Sequence, residues 1–111
     1  LNILADILDR KISVILPKII FFEVGNVLLY KKSYSEERVE KFRIILEKTL
    51  LNMYDFNFDD WDKIIKLADG YDLSFYDASY VYLAQKLGCD LITADKKLYN
   101  NVKKLGYVKL L

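Results

Sequence analysis

Two aspartates stand where a parallel sheet would bring carboxylates together. Asp77 opens the apolar segment DASYVYLAQKLG, and Asp95 follows the short apolar run DLIT. Each has an ordinary structural explanation, because Asp77 lies three residues after Ser74, as in a capping box, and Asp95 precedes a helical segment, as an N-cap does. Each is also suited to chemistry, since converging carboxylates repel one another and are stable mainly when a hard cation binds between them. Capping and metal binding both remain open on the sequence.

A third carboxylate, Glu23, interrupts the apolar segment IIFFEVGNVLLY. An unpaired charge on a buried helix face is costly, so this glutamate needs an explanation. One is that Glu23, Asn26 and Tyr30, at spacings of three and four, form a narrow polar stripe that faces solvent. The other is that apolar residues on both sides bury the helix and turn the stripe toward a polar cleft. The sequence leaves both open.

The segments that carry these residues alternate between helix and strand. Short apolar strands separated by helices indicate an α/β domain with a parallel sheet covered on both faces, because every parallel connection needs a crossover. In such sheets ligands bind at the carboxyl ends of the strands, and Asp95 directly follows one. The pattern predicts helices over 2–9, 17–31, 35–53, 59–70, 74–88 and 95–106, and strands over 12–16, 54–58, 90–93 and 107–111.

Composition narrows the chemistry. The 111 residues include no histidine and one cysteine, Cys89, which excludes histidine-based triads, an internal disulfide and a cysteine zinc site. With 17 basic and 16 acidic side chains the net charge is +1, so no overall field indicates a nucleic-acid or membrane partner. Charges at positions 6, 9, 10 and 11 interrupt the opening apolar stretch, so no membrane span or signal peptide is predicted. The length fits a single domain over 1–111.

The segments FFEVGNVLL and YDASYVYLAQKLGCDLITAD resemble the PIN domain family, most closely the small VapC-type toxins, over residues 12–111. The resemblance implies a three-layer PIN-like domain with a central parallel sheet flanked by helices. It implies a metal-dependent RNA endonuclease in which Glu23, Asp77 and Asp95 bind Mg²⁺ or Mn²⁺, while Thr93 helps to orient the attacking water. It further implies an RNA substrate, a small VapB-like antitoxin as partner, a homodimer and a cytoplasmic location.

The chain departs from the family pattern at its start. The family's first aspartate ends a central N-terminal strand, and no such strand precedes ISVIL; Asp6 and Asp9 fall on a predicted helix and are poor substitutes. Because the sequence begins at Leu1 and its only methionine is Met53, we expect an N-terminally incomplete domain. A strand supplied by another segment or chain, or a degenerate gene product, stays open. The alternative function is a catalytically inactive or truncated PIN fold that acts as a binding or dimerisation module.

Basic and aromatic residues are weaker candidates for substrate contacts. Lysine pairs at 31–32, 96–97 and 103–104 could contact RNA phosphates, although the helix dipole favours lysines at helix C-terminal ends in any case. Tyr76, Tyr80 and Tyr82 could stack on unpaired bases or pack in the core. No substrate-binding residue is assigned.

The remaining acids are interpreted as structural. A helix dipole stabilises acids in the first turn, so Asp59, Asp60 and Asp62 are left out of the site, as is Asp72 in the following loop. A response-regulator-like phospho-acceptor domain also clusters aspartates at strand ends, but the order of the acids in this chain fits it poorly.

Overall fold

The computed structural model describes residues 15–32, 34–49 and 53–111. The chain divides into two compact units, Leu1–Asp55 and Phe56–Leu111, and each contains a pair of parallel strands. The predicted α/β composition and parallel pairing are therefore confirmed. The helix predicted over 2–9 and most of the strand predicted over 12–16 lie outside the described residues.

The first unit holds two helices and a short strand pair. Strand β1 (Leu16–Pro17) pairs with β2 (Met53–Tyr54), and the N–H of Lys18 donates to the carbonyl of Tyr54 at 2.9 Å. Helix α1 (Ile20–Leu29) runs into a 3₁₀ turn, Tyr30–Lys32. Helix α2 (Glu36–Thr49) follows Ser35, whose Oγ accepts from the N–H of Arg38 at 3.1 Å. This bond confirms Ser35 as one of the two serines expected to cap this helix.

The predicted start of α1 is wrong. The sequence places Pro17 in the first turn of the helix, whereas the structure places it in β1, fully buried, and the helix begins at Ile20. A proline lacks only the N–H donor, so it is tolerated at the end of a strand where the next residue supplies the ladder bond. Lys18 supplies that bond here.

The second unit is a helix pair packed on two parallel strands. Helices α3 (Phe58–Tyr71) and α4 (Phe75–Leu87) are joined by residues 72–74. Strand β3 (Leu91–Thr93) pairs with β4 (Val108–Leu110), with Leu91 opposite Val108. Between the strands lie α5 (Lys96–Val102) and a 3₁₀ turn, Lys103–Leu105. The predicted elements of this half match the structure closely. The strand predicted over 54–58 is wrong except at Tyr54, which belongs to β2 of the first unit, and Phe58 already begins α3.

Two buried clusters fix α4 in place. Val81 packs with Leu98 and Val102 of α5 and with Val108 of β4. On another side of the helix, Ala78 and Tyr82 pack against Ile64 of α3. Full burial of such an aliphatic side chain stabilises a fold by about 1.5–3 kcal/mol, so α4 is held from two directions and its N-terminal end has a defined position.

Helix length and hydropathy bear on membrane association. Within residues 15–32, 34–49 and 53–111, no helix is both long enough and apolar enough to cross a bilayer.

Candidate active site

Asp95 caps α5 and is itself positioned by Thr93. The Oδ1 of Asp95 accepts from the N–H of Leu98 at 3.1 Å, which confirms the predicted N-cap. The N–H of Asp95 donates to the Oγ1 of Thr93, also at 3.1 Å. Thr93 ends β3 and Asp95 begins the helix, so this second bond fixes the turn between them. One carboxylate oxygen of the exposed Asp95 is thus engaged in capping, and the other has no hydrogen bond within the described chain.

Asp77 occupies the third position of α4, but it closes only half of the predicted capping box. The Oγ of Ser74 accepts from the N–H of Asp77 at 3.1 Å, which confirms Ser74 as the N-cap. The return bond from the Asp77 carboxylate to the backbone of Ser74 is not formed. Within the part of the chain that the structure describes, the half-buried carboxylate of Asp77 has no hydrogen bond or ion pair. Its charge is therefore available to a ligand.

Asp60 shows what a complete capping box looks like in the same unit. It lies at the third position of α3, where its Oδ2 accepts from the N–H of Asn57 at 3.0 Å while the Asn57 side chain accepts from the N–H of Asp60. Its Oδ1 accepts from the hydroxyl of Tyr82 and from the Nζ of Lys86 at 2.7 Å. Asp60 is 0% exposed. On sequence alone it is interpreted as a first-turn acid stabilised by the helix dipole, and its burial was not predicted, although the Asn57 to Asp60 spacing marks the box.

We expect Asp77 and Asp95 to share one edge of the second unit, because α4 and α5 both contribute to the same buried cluster. Asp77 lies one helical turn before Val81, and Asp95 lies one turn before Leu98. Val81 and Leu98 belong to the same buried cluster. α5 begins directly after β3, at its carboxyl end. Because α4 leads into β3 and packs beside it, we expect its N-terminus at the same edge. We call this edge, with Asp77, Thr93 and Asp95, the acidic rim.

Glu23 lies in the first unit, in the first turn of α1, and is half-buried. Of the two explanations left open for this helix, burial on nearly all sides does not match the structure: Leu28 is buried, but Phe21 and Phe22 are 59% and 66% exposed. Asn26 and Tyr30, the other members of the predicted polar stripe, are also exposed. Participation of Glu23 in the site with Asp77 and Asp95 stays a prediction.

The donor chemistry of the acidic rim fits a hard divalent cation. Mg²⁺ is typically bound through one or two carboxylates, with water and substrate phosphate completing an octahedron, so two aspartates are a sufficient protein contribution. Within the described ranges, no group of three or more histidine, cysteine, aspartate or glutamate side chains is arranged to hold a metal ion.

The lysine pairs differ in their relation to helix dipoles. Lys103 and Lys104 lie in the last turn before Gly106, where a cation is favoured. Lys96 and Lys97 are the first two residues of α5, with no acid in the first turn, and both are exposed. The positive end of the dipole opposes them there by about 0.3–1 kcal/mol each. The helix dipole thus accounts for Lys103 and Lys104 but not for Lys96 and Lys97.

The three tyrosines separate by exposure. Tyr76 is 58% exposed in the first turn of α4, next to Asp77. Tyr80 is half-buried, and Tyr82 is buried with its hydroxyl bound to Asp60. Tyr82 is therefore a core residue, and Tyr76 keeps an accessible ring at the acidic rim.

Two comparisons with known proteins match most of the chain. The profile of the PIN domain matches residues 2–104. Exonuclease VapC9 of Pyrobaculum aerophilum is 29% identical over 82 residues, which cover 74% of this chain and 62% of that relative. The chain thus matches less than two thirds of the relative's length. No solved structure matches it.

Proposed function

This chain belongs to the PIN domain family, and on that premise we propose that it is a VapC-type nuclease, specifically a Mg²⁺- or Mn²⁺-dependent RNA endonuclease. One observation carries the proposal: within the described chain the Asp77 carboxylate has no hydrogen bond or ion pair, and its helix packs into the same buried cluster as the helix that Asp95 caps. A pair of carboxylates at the acidic rim is what phosphodiester hydrolysis with a hard cation requires.

We extend the proposal to the fold. Residues 1–111 would form one three-layer PIN-like domain with a central parallel sheet flanked by helices. The family match supports this, because residues 2–104 include parts of both units. Glu23 would then join Asp77 and Asp95 as the third carboxylate.

The side chains of the acidic rim have separate tasks in this mechanism. Asp77, Asp95 and Glu23 would hold the cation, which when bound supplies positive charge to the phosphodiester as charge builds on its oxygens. Thr93 acts as a positioning residue, because its hydroxyl oxygen holds the backbone N–H of Asp95. Lys96 and Lys97, placed against the dipole of α5, would bind substrate phosphates beside Asp95.

Cleavage of single-stranded RNA by the full chain tests the proposal. Asp77→Asn should lower the Mn²⁺-dependent rate at least a hundredfold, and EDTA should abolish cleavage by the wild type. Asp62→Asn is the matched control, because it removes the same charge from an exposed position in α3 and should change the rate less than twofold. Equal activity of Asp77→Asn and the wild type would refute the assignment of Asp77.

A circular RNA separates endonuclease from exonuclease action, since a circle has no end. The relative is named an exonuclease, whereas the proposal here is endonucleolytic. Linearisation of the circle by the wild type is the expected result. If the protein degrades linear RNA and leaves the circle intact, it is an exonuclease. That result would refute the endonuclease assignment but not the proposed nuclease activity.

The proposal includes partners and location: a small VapB-like antitoxin that inhibits the nuclease, a second copy of the chain, and the cytoplasm. A binding module is the second candidate function, and the exposed apolar residues Phe21, Phe22, Val27 and Leu29 of α1 favour it. The two candidates differ in one result. An inactive module binds its partner equally well with Asp77 or Asn at position 77 and cleaves no RNA in either form.

A further inference from the structure

A groove outside the acidic rim runs along the α3–α4 pair of the second unit. Its volume is about 590 Å³, in the range of small-molecule sites. Leu67 and Tyr71 of α3 and Tyr82 of α4 form its apolar lining. Lys86, which also lines the groove, lies nine residues after Asp77, about 13 Å along the axis of α4 at 1.5 Å per residue. The groove is thus distinct from the acidic rim in the residues that form it.

The groove carries an excess of positive charge. Lys63 and Lys66 of α3 and Lys86 of α4 line it. Lys86 is bound by the carboxylate of Asp60, which is fully buried and also accepts from Tyr82 and from the N–H of Asn57. Within the described chain, a carboxylate therefore pairs with Lys86 and with neither Lys63 nor Lys66.

Lys63 and Lys66 are not paired with the acids that precede them. Asp59 and Asp62 lie one turn earlier on the same helix, the spacing at which an acid usually pairs with a following lysine. Within the described chain, neither lysine forms an ion pair with any carboxylate. The two ammonium groups are one turn apart, with about 5–6 Å between their Cβ atoms, so they can contact neighbouring anionic groups of one ligand.

The other polar groups of the groove fit the same kind of ligand. Gln85 accepts from the hydroxyl of Tyr107 through its Oε1 at 3.4 Å, which leaves its amide N–H groups as donors. Lys86 is 38% exposed, and its Nζ is held by Asp60 and lies 5.9 Å from the centre of the Tyr82 ring. The groove thus offers hydrogen-bond donors and cations beside an apolar lining of aromatic rings.

We propose that this groove binds single-stranded RNA, with adjacent phosphates on Lys63 and Lys66 and a base against Tyr71 and Leu67. Charge complementarity selects a polyanion, and the ring surfaces favour one that carries flat bases over an acidic peptide. The choice of RNA among nucleic acids rests on the proposed nuclease function. The groove holds substrate and takes no part in cleavage.

Salt-dependent binding tests the groove without any cleavage. Fluorescence anisotropy with a labelled 12-nucleotide RNA in EDTA gives the affinity of the full chain at several salt concentrations. The Lys63→Gln/Lys66→Gln variant should bind about tenfold more weakly at low salt, and its slope of log affinity against log salt should be shallower by about 1.4, since each phosphate contact on a single strand contributes about 0.7.

A matched pair of lysines controls for net charge. Lys103→Gln/Lys104→Gln removes the same two charges from the exposed 3₁₀ turn of the same unit and should leave the slope unchanged. Equal losses in both double variants would show a general charge effect and overturn the proposal. A polyglutamate peptide that displaces the RNA at equal charge concentration would also overturn it, in favour of an acidic protein segment.

Cleavage measured in parallel distinguishes this inference from the proposed nuclease function. If the wild type binds RNA through Lys63 and Lys66 but cleaves none, the groove stands and the nuclease proposal fails. If the wild type cleaves RNA and the Lys63→Gln/Lys66→Gln variant binds as tightly as it does, the nuclease proposal stands and the groove fails.

Discussion

Substitution of Asp95 by asparagine or by alanine separates its structural role from its proposed role as a metal ligand. The Oδ1 of Asp95 accepts the N–H of Leu98 at 3.1 Å. Asparagine keeps an oxygen at this position and is as good an N-cap as aspartate, whereas alanine has none. The negative charge is lost in both variants. Stability should therefore distinguish the two variants, and metal binding should not.

The structure sets the size of both effects. Loss of the cap in Asp95→Ala costs about 1 kcal/mol, and loss of the charge at the start of α5 adds about 0.3–1 kcal/mol in either variant. For a domain of this size 1 kcal/mol corresponds to about 4 °C in Tm. Mn²⁺ affinity should fall at least tenfold in both variants, about 1.4 kcal/mol, because one of the two carboxylates assigned to the acidic rim is gone.

Calorimetric titration with Mn²⁺ and thermal unfolding of the full chain measure the two effects. A saturating cation should raise the Tm of the wild type, by about 2.7 kcal/mol of added stability at a hundred times Kd, and raise that of Asp95→Asn much less. Asp62→Asn is the control for charge. Unchanged Mn²⁺ binding in Asp95→Asn would refute the metal assignment, and an Asp95→Ala variant as stable as Asp95→Asn would refute the cap.

Three further predictions concern stability. Asp60→Ala should lower the free energy of unfolding by about 3 kcal/mol, the low end for a buried pair because Lys86 is partly exposed, and urea titration measures it. Gly88→Ala should destabilise the fold by about 1 kcal/mol, because Gly88 has φ +67°. Gly70→Ala inside α3 should stabilise the fold by about 0.5–1 kcal/mol. Neither added Cβ meets an atom within 4 Å, so the backbone conformation alone decides the sign. Partial burial and, to a smaller extent, the charge of Tyr71 raise the pKa of Tyr107, so the folded state favours the neutral phenol. This contribution to stability is present below about pH 10 and is lost as the pH rises through the folded pKa. Tyr107→Phe should remove that part of the alkaline loss in a series of unfolding curves, and an identical alkaline profile would contradict it.

Local signals in the sequence were sufficient to predict β3 and the starts of α4 and α5 in the second unit. The run LIT followed by Asp95 predicts a strand and a capped helix, and the structure has both. Ser74 is likewise recognisable as the N-cap of α4 from its spacing to Asp77. These features are determined by residues within four positions of one another, so a single sequence contains them.

Features that depend on distant residues were not predictable in the same way. Pro17 is compatible with a helix start or a strand end, and its strand partner Tyr54 lies far along the chain. Asp60 is buried because Tyr82 and Lys86, 22 and 26 residues later, bind its carboxylate. Its local sequence predicts a helix cap, but only the packing of α3 on α4 shows that the cap is inside the core.

The contrast between Asp60 and Asp77 gives the strongest argument for where the chemistry lies. Both are the third residue of a helix, and both follow an N-cap whose side chain accepts their backbone N–H. Asp60 returns the bond and binds two further side chains, so its charge is satisfied inside the protein. Asp77 returns no bond, and within the described chain the dipole of α4 is what favours its charge, by about 0.3–1 kcal/mol. A carboxylate that stabilises the fold so little is the one whose removal should abolish activity and leave the free energy of unfolding almost unchanged, the reverse of the result expected for Asp60.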